Sequence, residues 1–218
     1  KKANAIGIGP STDTGNIAIG TDSAAQGGNS VAIGYESKTR GNGGTAVGQG
    51  AKAGVSKDDG SASSAFGYYA NAAASGSTAL GFQTVASTKQ ATAAGYKASA
   101  SGEGATALGA NAIASNQSTI AISAGPNTTT ASGVGSIAIG TNVTSNGAGN
   151  IATGANANAT GDGAIATGLG SVANGNNALA VGTNTSATGA NDVALGAGSV
   201  TGSRNALTSI TINGTEVG

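Results

Sequence analysis

The chain has 218 residues, of which 40 are glycine, nine are basic and nine are acidic, and it contains neither cysteine nor histidine. A net charge of zero provides no field to steer nucleic acid or an anionic membrane, and no apolar run is long enough to span a bilayer. The absence of cysteine and histidine excludes disulfides, thiolate metal sites and the commonest general base. We therefore expect a non-enzymatic protein with no metal or other cofactor, no nucleic-acid partner and no insertion of this segment into a membrane.

A phrase of the type aliphatic-Ala-aliphatic-Gly returns along the chain, as in NIAIGTDS from Asn16 and NSVAIGYES from Asn29. Ten of the thirteen intervals between its closing residues share one 14-residue period, and the two longest intervals contain insertions of five and three. This regularity indicates one array of repeats rather than several domains. The closing residue, termed the anchor below, falls at Gly9, Gly20, Gly34, Gly48, Gly67, Gly81, Gly95, Gly109, Ser123, Gly140, Gly154, Gly168, Gly182 and Gly196.

A second glycine often follows seven residues after the anchor, as at Gly27, Gly102 and Gly161, and Asn116 occupies this position in its own repeat. Because Gly and Asn tolerate a positive φ, we expect two tight corners in each unit. The segments between corners suit short strands and are too short for helices. The unit is therefore predicted to be strand, turn, strand, turn, with successive units stacked in parallel as a solenoid.

The predicted first strand has an alanine flanked by two larger aliphatic residues, which must point to the opposite face. Small residues also recur three and five residues after the anchor, as at Ala112 and Ala114. A 14-residue coil with two corners is flat, so we predict that alanine fills its interior and that the aliphatic residues lie outside. The opposite assignment, with the aliphatic residues inside, stays open from the residues alone.

An outer aliphatic stripe along a rod would exceed the few hundred Å² of apolar surface that a soluble monomer usually exposes. We therefore predict an obligate homo-oligomer held together by this stripe. Its predicted members are Ile17, Ile19, Val31, Ile33, Val47, Leu80, Leu108, Ile120, Ile122, Ile137, Ile139, Leu179, Val181, Val193 and Leu195.

NSVAIGYES resembles the head-repeat motif of the YadA-like trimeric autotransporter adhesins of Gram-negative bacteria, with the same 14-residue period, from about Ala5 to Gly202. The resemblance implies an all-β, left-handed parallel β-roll, a solenoid of 14-residue repeats over residues 1–202, assembled as a homotrimer. Residues 203–218 are expected to form a transition segment, the start of a neck or of a next domain, because RNALT from Arg204 resembles the beginning of a neck.

The same resemblance implies a role in cell adhesion and virulence at the bacterial cell surface. The head would be anchored in the outer membrane through a C-terminal region outside this chain, and would bind host extracellular-matrix or cell-surface proteins. A rigid spacer that projects another adhesive domain, without a ligand of its own, is the open alternative.

Two insertions are candidates for departures from the regular roll. The segment between Gly48 and Gly67 carries Lys52, Lys57, Asp58 and Asp59, the densest charge in the chain. Loops carry function more often than scaffolds do, so these four residues are candidate ligand contacts, although a solvated insertion is the plainer explanation. The segment SAGPNTTTASGVG from Ser123 is predicted to break the roll locally.

Aromatic residues supply the remaining candidate ligand contacts. Tyr68, Phe82 and Tyr96 directly follow successive anchors, so in a parallel stack they form a ladder with steps of about 4.8 Å. Tyr69, one residue further on, is expected to point elsewhere and to be exposed. The ladder either packs at the edge of the subunit interface or docks a host protein, since Tyr is enriched at interface hot spots.

Overall fold

The computed structural model describes residues 6–7, 15–54, 61–202, 210–212 and 215–217, with side chains described for 15–54 and 61–202. All regular structure in these ranges is β-strand. The first fourteen strands are β1 (Ile6–Gly7), β2 (Ile17–Ile19), β3 (Ala24–Ala25), β4 (Val31–Ile33), β5 (Lys38–Thr39), β6 (Thr45–Val47), β7 (Lys52–Ala53), β8 (Ser64–Phe66), β9 (Asn71–Ala72), β10 (Thr78–Leu80), β11 (Val85–Ala86), β12 (Thr92–Ala94), β13 (Ser99–Ala100) and β14 (Thr106–Leu108).

The second half of the chain continues the same alternation of three-residue and two-residue strands with few departures. Across the described ranges, no helix is present that could cross a membrane. The remaining strands are β15 (Ala112–Ala114), β16 (Ile120–Ser123), β17 (Thr129–Ala131), β18 (Ile137–Gly140), β19 (Thr144–Ser145), β20 (Ile151–Thr153), β21 (Asn158–Ala159), β22 (Ile165–Thr167), β23 (Val172–Ala173), β24 (Leu179–Val181), β25 (Ser186–Ala187), β26 (Val193–Leu195), β27 (Ile210–Ile212) and β28 (Thr215–Val217).

Successive strands alternate between two parallel sheets. The even-numbered strands β2 to β26 stack in chain order in the first sheet, and the odd-numbered strands β3 to β25 stack in the second. Neighbours are one repeat apart, as Ile151 is opposite Ile165, and the pairing stays in step across both insertions. Thirteen parallel strands in the first sheet give twelve intervals of about 4.8 Å, and therefore a rod about 58 Å long. The predicted all-β solenoid of 14-residue repeats is confirmed.

Two short elements depart from the parallel stack. β1 pairs antiparallel with β2, with Ile6 opposite Ile19, so the parallel coils begin at β2. The anchor expected at Gly9 lies outside the described residues. β27 and β28 form an antiparallel hairpin within the predicted transition segment.

The interior of the solenoid is filled mainly by alanine, with small polar side chains beside it. The central residue of every first-sheet strand from β4 to β26 is an alanine with 3 % exposure or less. The second sheet also contributes small buried residues, such as Ala112 and Ala114, and the largest fully buried side chain is Val143. Because the two sheets are so close, no described side chain larger than valine is fully buried between them. The prediction that alanine lies inside is therefore correct, and the alternative that places the larger aliphatic residues inside is wrong.

Buried polar side chains at the edges of this interior bind the backbone of the corners. Ser30 Oγ donates a hydrogen bond to the carbonyl oxygen of Gly27 at 2.8 Å, and Thr185 Oγ1 donates to that of Gly182 at 2.9 Å. Asn150 Nδ2 donates to the Ala159 carbonyl across the coil at 2.9 Å. Since a buried polar group without a partner costs stability, these bonds allow small polar residues to share the interior with alanine.

The two corners of a coil use glycine for different reasons. The anchor Gly168 has a φ of 133° and needs the freedom of glycine, as predicted. The second glycine, Gly161, does not occupy this region, contrary to the prediction, and the positive φ of 67° falls two residues later at Gly163. A Cβ on Gly161 would lie 2.2 Å from the Gly175 carbonyl oxygen of the next coil. Its lack of a side chain therefore allows two corners to stack in close contact.

The insertion after Ser123 does not break the roll, so that prediction is wrong. Ser123 extends β16 and lies opposite Gly140 in β18. Its hydroxyl group, which has a single proton to donate, is 3.0 Å from the carbonyl oxygen of Gly125 and 3.2 Å from that of Asn127, and this contact holds the extra residues within the turn. The second sheet then resumes at Thr129.

The alanine interior predicts a strong asymmetry between adjacent residues of one strand. Ala100→Leu should overpack the space between the sheets and destabilise the protein by about 1–3 kcal/mol, because Ala100 is fully buried. Ser99→Leu, a control on the outer face of the same strand β13, should have little effect. Thermal unfolding followed by circular dichroism measures both. Equal losses in the two variants would contradict the account of the interior.

Candidate functional site

The aliphatic residues of the first sheet lie on its outer face in two ranks, one before and one after the buried alanine. Every predicted stripe residue from Ile17 to Leu195 is at one of these two strand positions. Several are well exposed in the single chain, including Leu80 at 52 %, Val193 at 58 % and Leu195 at 60 %. The two ranks together therefore form one apolar surface along the rod, which we term the aliphatic stripe.

Three further residues belong to the aliphatic stripe and were missed by the sequence analysis. Phe66 lies opposite Val47 and Leu80, on the outer face of β8. Ile151 and Ile165 occupy the first rank in β20 and β22. The sequence contained the signal that would have found them, because each of the three residues is at the same position of the 14-residue repeat as the predicted members of the stripe.

The outer face of the second sheet has a different character, because its outward rank is mostly polar or small. The first sheet is therefore the face with a nearly continuous apolar surface, which is interrupted at β12, where the outward residues are Thr92 and Ala94. The outward residues of the second sheet, in chain order, are Ala24, Lys38, Lys52, Asn71, Val85, Ser99, Ile113, Thr130, Thr144, Asn158, Val172 and Ser186.

The predicted aromatic ladder is present. The rings of Tyr68 and Phe82 stack with centroids 5.2 Å apart and planes 6° apart, and those of Phe82 and Tyr96 stack at 5.2 Å and 7°. Over the same coils the first rank of the first sheet carries threonine or serine, as at Thr78 and Thr92, instead of a large aliphatic residue. In this part of the rod, the apolar surface therefore includes the aromatic residues at the corner after the anchor, and the first rank contributes little to it.

Tyr69 packs against the ladder rather than away from it. Its ring is 4.6 Å from that of Tyr68, in an edge-to-face arrangement at 80°. Tyr69 is exposed, at 42 %, but it does not point away from the ladder, whose member Tyr96 is 50 % exposed. The backbone of Tyr69 has a φ of 53°, and its ring lies over Gly50 of the preceding coil, where a Cβ would be 2.7 Å from Tyr69 Cε1. We term Tyr68, Tyr69, Phe82 and Tyr96 the aromatic patch.

Charged groups lie beside the aromatic residues. Lys97 Nζ is 5.2 Å from the centroid of the Tyr96 ring, within the range of a cation–π contact. A hydrogen bond with the Glu36 side chain, together with the negative charge of that carboxylate, raises the pKa of Tyr35.

Of the four charged candidates from the first insertion, Lys52 is the one that lies in the described residues, and it is not part of the aromatic patch. Lys52 is part of β7 and lies on the outer face of the second sheet, not in a looped-out segment. The regular pairing continues through Gly54, which donates to the Ala72 carbonyl, and is present again at Ala62. Lys57, Asp58 and Asp59 lie outside the described residues.

This chain is a parallel solenoid whose interior is filled with small side chains and whose outer sheet faces are extended. Proteins of this class bind their partners along those outer faces. The family model of the YadA head domain repeat matches residues 17–37, 59–84, 74–98, 86–112, 100–122, 127–142, 145–171 and 173–199. These matches cover most of the chain, which therefore belongs to the YadA head family. No curated protein matches the chain.

Membership of the family gives the broad function. The YadA head is a surface-exposed adhesin domain of autotransporters. Neither this family nor a solenoid of this type is a class of enzymes. The family also implies trimeric self-association.

The stacked rings predict an energetic coupling within the aromatic patch. In a double-mutant cycle, Phe82→Leu and Tyr96→Leu should be coupled by about 0.5–1.5 kcal/mol, because each removes the partner of the other. Phe82→Leu and Tyr35→Leu form the control pair, since these rings are not stacked. Chemical unfolding of the variants measures both couplings, and equal values would contradict a specific stacking contribution.

Proposed function

We propose that the chain is the head of a trimeric bacterial adhesin that binds host extracellular-matrix or cell-surface proteins. The observation that carries this proposal is the match to YadA head repeats over residues 17–199. The head is displayed on the cell surface, and a C-terminal region of the longer protein anchors it in the outer membrane. Host adhesion of this kind contributes to virulence.

The aliphatic stripe is the proposed trimer interface. Ile17, Leu80 and Leu195 are 45–60 % exposed in the single chain, and the alanine interior offers little other apolar burial. Burial of apolar surface contributes about 25 cal/mol per Å², so three stripes that meet on a common axis would supply much of the stability. Closed rotational symmetry also leaves no apolar face free to form fibres.

The aromatic patch is the proposed contact surface for a host protein. Tyr68 and Tyr96 are 42 % and 50 % exposed, and their stacking already restricts the rings. Rigid aromatic side chains lose little conformational entropy on binding and are enriched at hot spots. Lys57, Asp58 and Asp59 of the insertion remain predicted contacts on sequence grounds alone.

The trimer proposal predicts that charge on the aliphatic stripe abolishes assembly. The double variant Ile33→Asp with Ile139→Asp should lose the trimer and its fold, because unpaired charge is costly at a buried interface. Ser99→Asp with Ser186→Asp, on the outer face of the second sheet, adds the same charge and should stay trimeric. Light scattering and circular dichroism report mass and fold. A folded, trimeric stripe variant would contradict the proposal.

The binding proposal predicts saturable attachment of the purified chain to at least one of immobilised collagen, fibronectin, laminin or whole host cells. Tyr68→Ser with Tyr96→Ser should reduce that binding roughly tenfold or more, in keeping with hot-spot residues. The control is Leu169→Ser, since Leu169 is 51 % exposed at the same repeat position but far along the rod. Failure to bind any of these surfaces would favour the rigid-spacer alternative.

A further inference from the structure

A groove of about 250 Å³ lies on the outer face of the second sheet. It is lined by Lys38, Arg40, Lys52, Gly54 and Asn71, and we term it the cationic groove. Lys38 and Lys52 are directly opposite each other on β5 and β7, and Lys52 is opposite Asn71 on β9. The second-sheet pairing that places these three residues side by side continues across the first insertion.

The charge of the cationic groove is not balanced by its described surroundings. Three of the nine basic residues of the chain lie in it, and its described lining residues include no carboxylate. Within the described ranges, Lys38, Arg40 and Lys52 form no ion pair. Like charges opposite each other on neighbouring strands are destabilising. An anionic ligand would remove that repulsion.

The shape of the cationic groove favours a linear ligand. Lys38, Lys52 and Asn71 follow one another along the rod at about 4.8 Å per coil, and Arg40 lies two residues beyond Lys38, roughly 6.6 Å across the rod. The volume is below the range of about 300–1,000 Å³ typical of pockets for whole small ligands. The groove therefore fits a short stretch of a longer chain.

The chemistry of the lining residues indicates the kind of polymer. A guanidinium group binds sulfate or carboxylate oxygens in a bidentate manner, lysine supplies a point charge, and the Asn71 amide can both donate to and accept from hydroxyl groups. Single-stranded nucleic acid requires aromatic stacking surfaces, and no aromatic residue is among the described lining residues.

We propose that the cationic groove binds an anionic polysaccharide, one that carries sulfate or carboxylate groups. The inference rests on the proposed adhesin function and names a second class of host ligand for it, recognised on the second sheet rather than by the aromatic patch. Because the aliphatic stripe is on the other sheet, assembly through that stripe leaves the groove open.

The test measures equilibrium binding of the purified chain to heparin and to hyaluronan at about 0.15 M ionic strength. We expect saturable binding to at least one of them, and the preferred polymer identifies sulfate or carboxylate as the recognised group. The triple variant Lys38→Gln, Arg40→Gln, Lys52→Gln should bind roughly tenfold more weakly, as expected for three exposed charge contacts. Lys89→Gln, which removes an exposed charge outside the groove, should bind like the wild type.

Three results would overturn the proposal: no saturable binding to either polysaccharide, equal loss in the Lys89→Gln and triple variants, or tighter binding to a DNA oligonucleotide of similar charge. Binding to collagen, fibronectin and laminin is measured on the same preparations. If matrix proteins bind and polysaccharides do not, the groove assignment fails while the adhesin proposal stands. If polysaccharides alone bind, and the triple variant abolishes that binding, the groove stands without the protein-binding function.

Discussion

The close approach of the two sheets is the constraint on which the rest of the molecule depends. A short coil with two corners leaves room mainly for alanine and small polar side chains, as the buried residues from Ala32 to Ala194 show, with Val143 the largest side chain that is fully buried. Larger apolar side chains must therefore lie outside. In most globular domains the interior supplies the main apolar burial, but here the larger apolar groups are on a surface, so the stability of the head is tied to whatever covers that surface.

The two outer faces take different roles because their outward ranks differ. The first sheet presents a nearly continuous aliphatic surface, whereas the second presents polar and basic residues with scattered aliphatic ones. In our proposal the first face forms the trimer, and the remaining surfaces meet host molecules. The parallel pairing makes a short motif into a linear array, since one residue type repeated at the same place in every coil becomes a row along the rod. The stacked aromatic patch and the lysines of the cationic groove are two such rows.

Much of this architecture could be predicted from the sequence because the repeat carries the information locally. The position of the central alanine, the outward direction of Ile33 and Leu108, and the stacking of Tyr68, Phe82 and Tyr96 all follow from strand alternation and period. The same reasoning applied to every copy would also have placed Phe66 in the aliphatic stripe. These features need only the repeat unit and the assumption of parallel stacking.

Other features depend on contacts between coils and could not be predicted. Gly161 is needed because the next coil approaches its Cα, which no single repeat reveals. The ring of Tyr69 lies over Gly50 of the preceding coil, where a Cβ would be 2.7 Å from Tyr69 Cε1. Lys52 and Asn71 are separated in sequence by one repeat and the first insertion, and they become neighbours only because that insertion leaves the pairing undisturbed.

Sedimentation equilibrium of the wild-type chain over a range of concentrations tests most directly whether the fold depends on the trimer. We expect a mass of three times the 20.0 kDa of one chain. We also expect the β-sheet signal in circular dichroism to be lost together with the trimer on dilution, because folding and assembly share the same apolar surface. A stably folded monomer of 20.0 kDa would contradict this dependence, since the aliphatic stripe would then be exposed to water without loss of the fold.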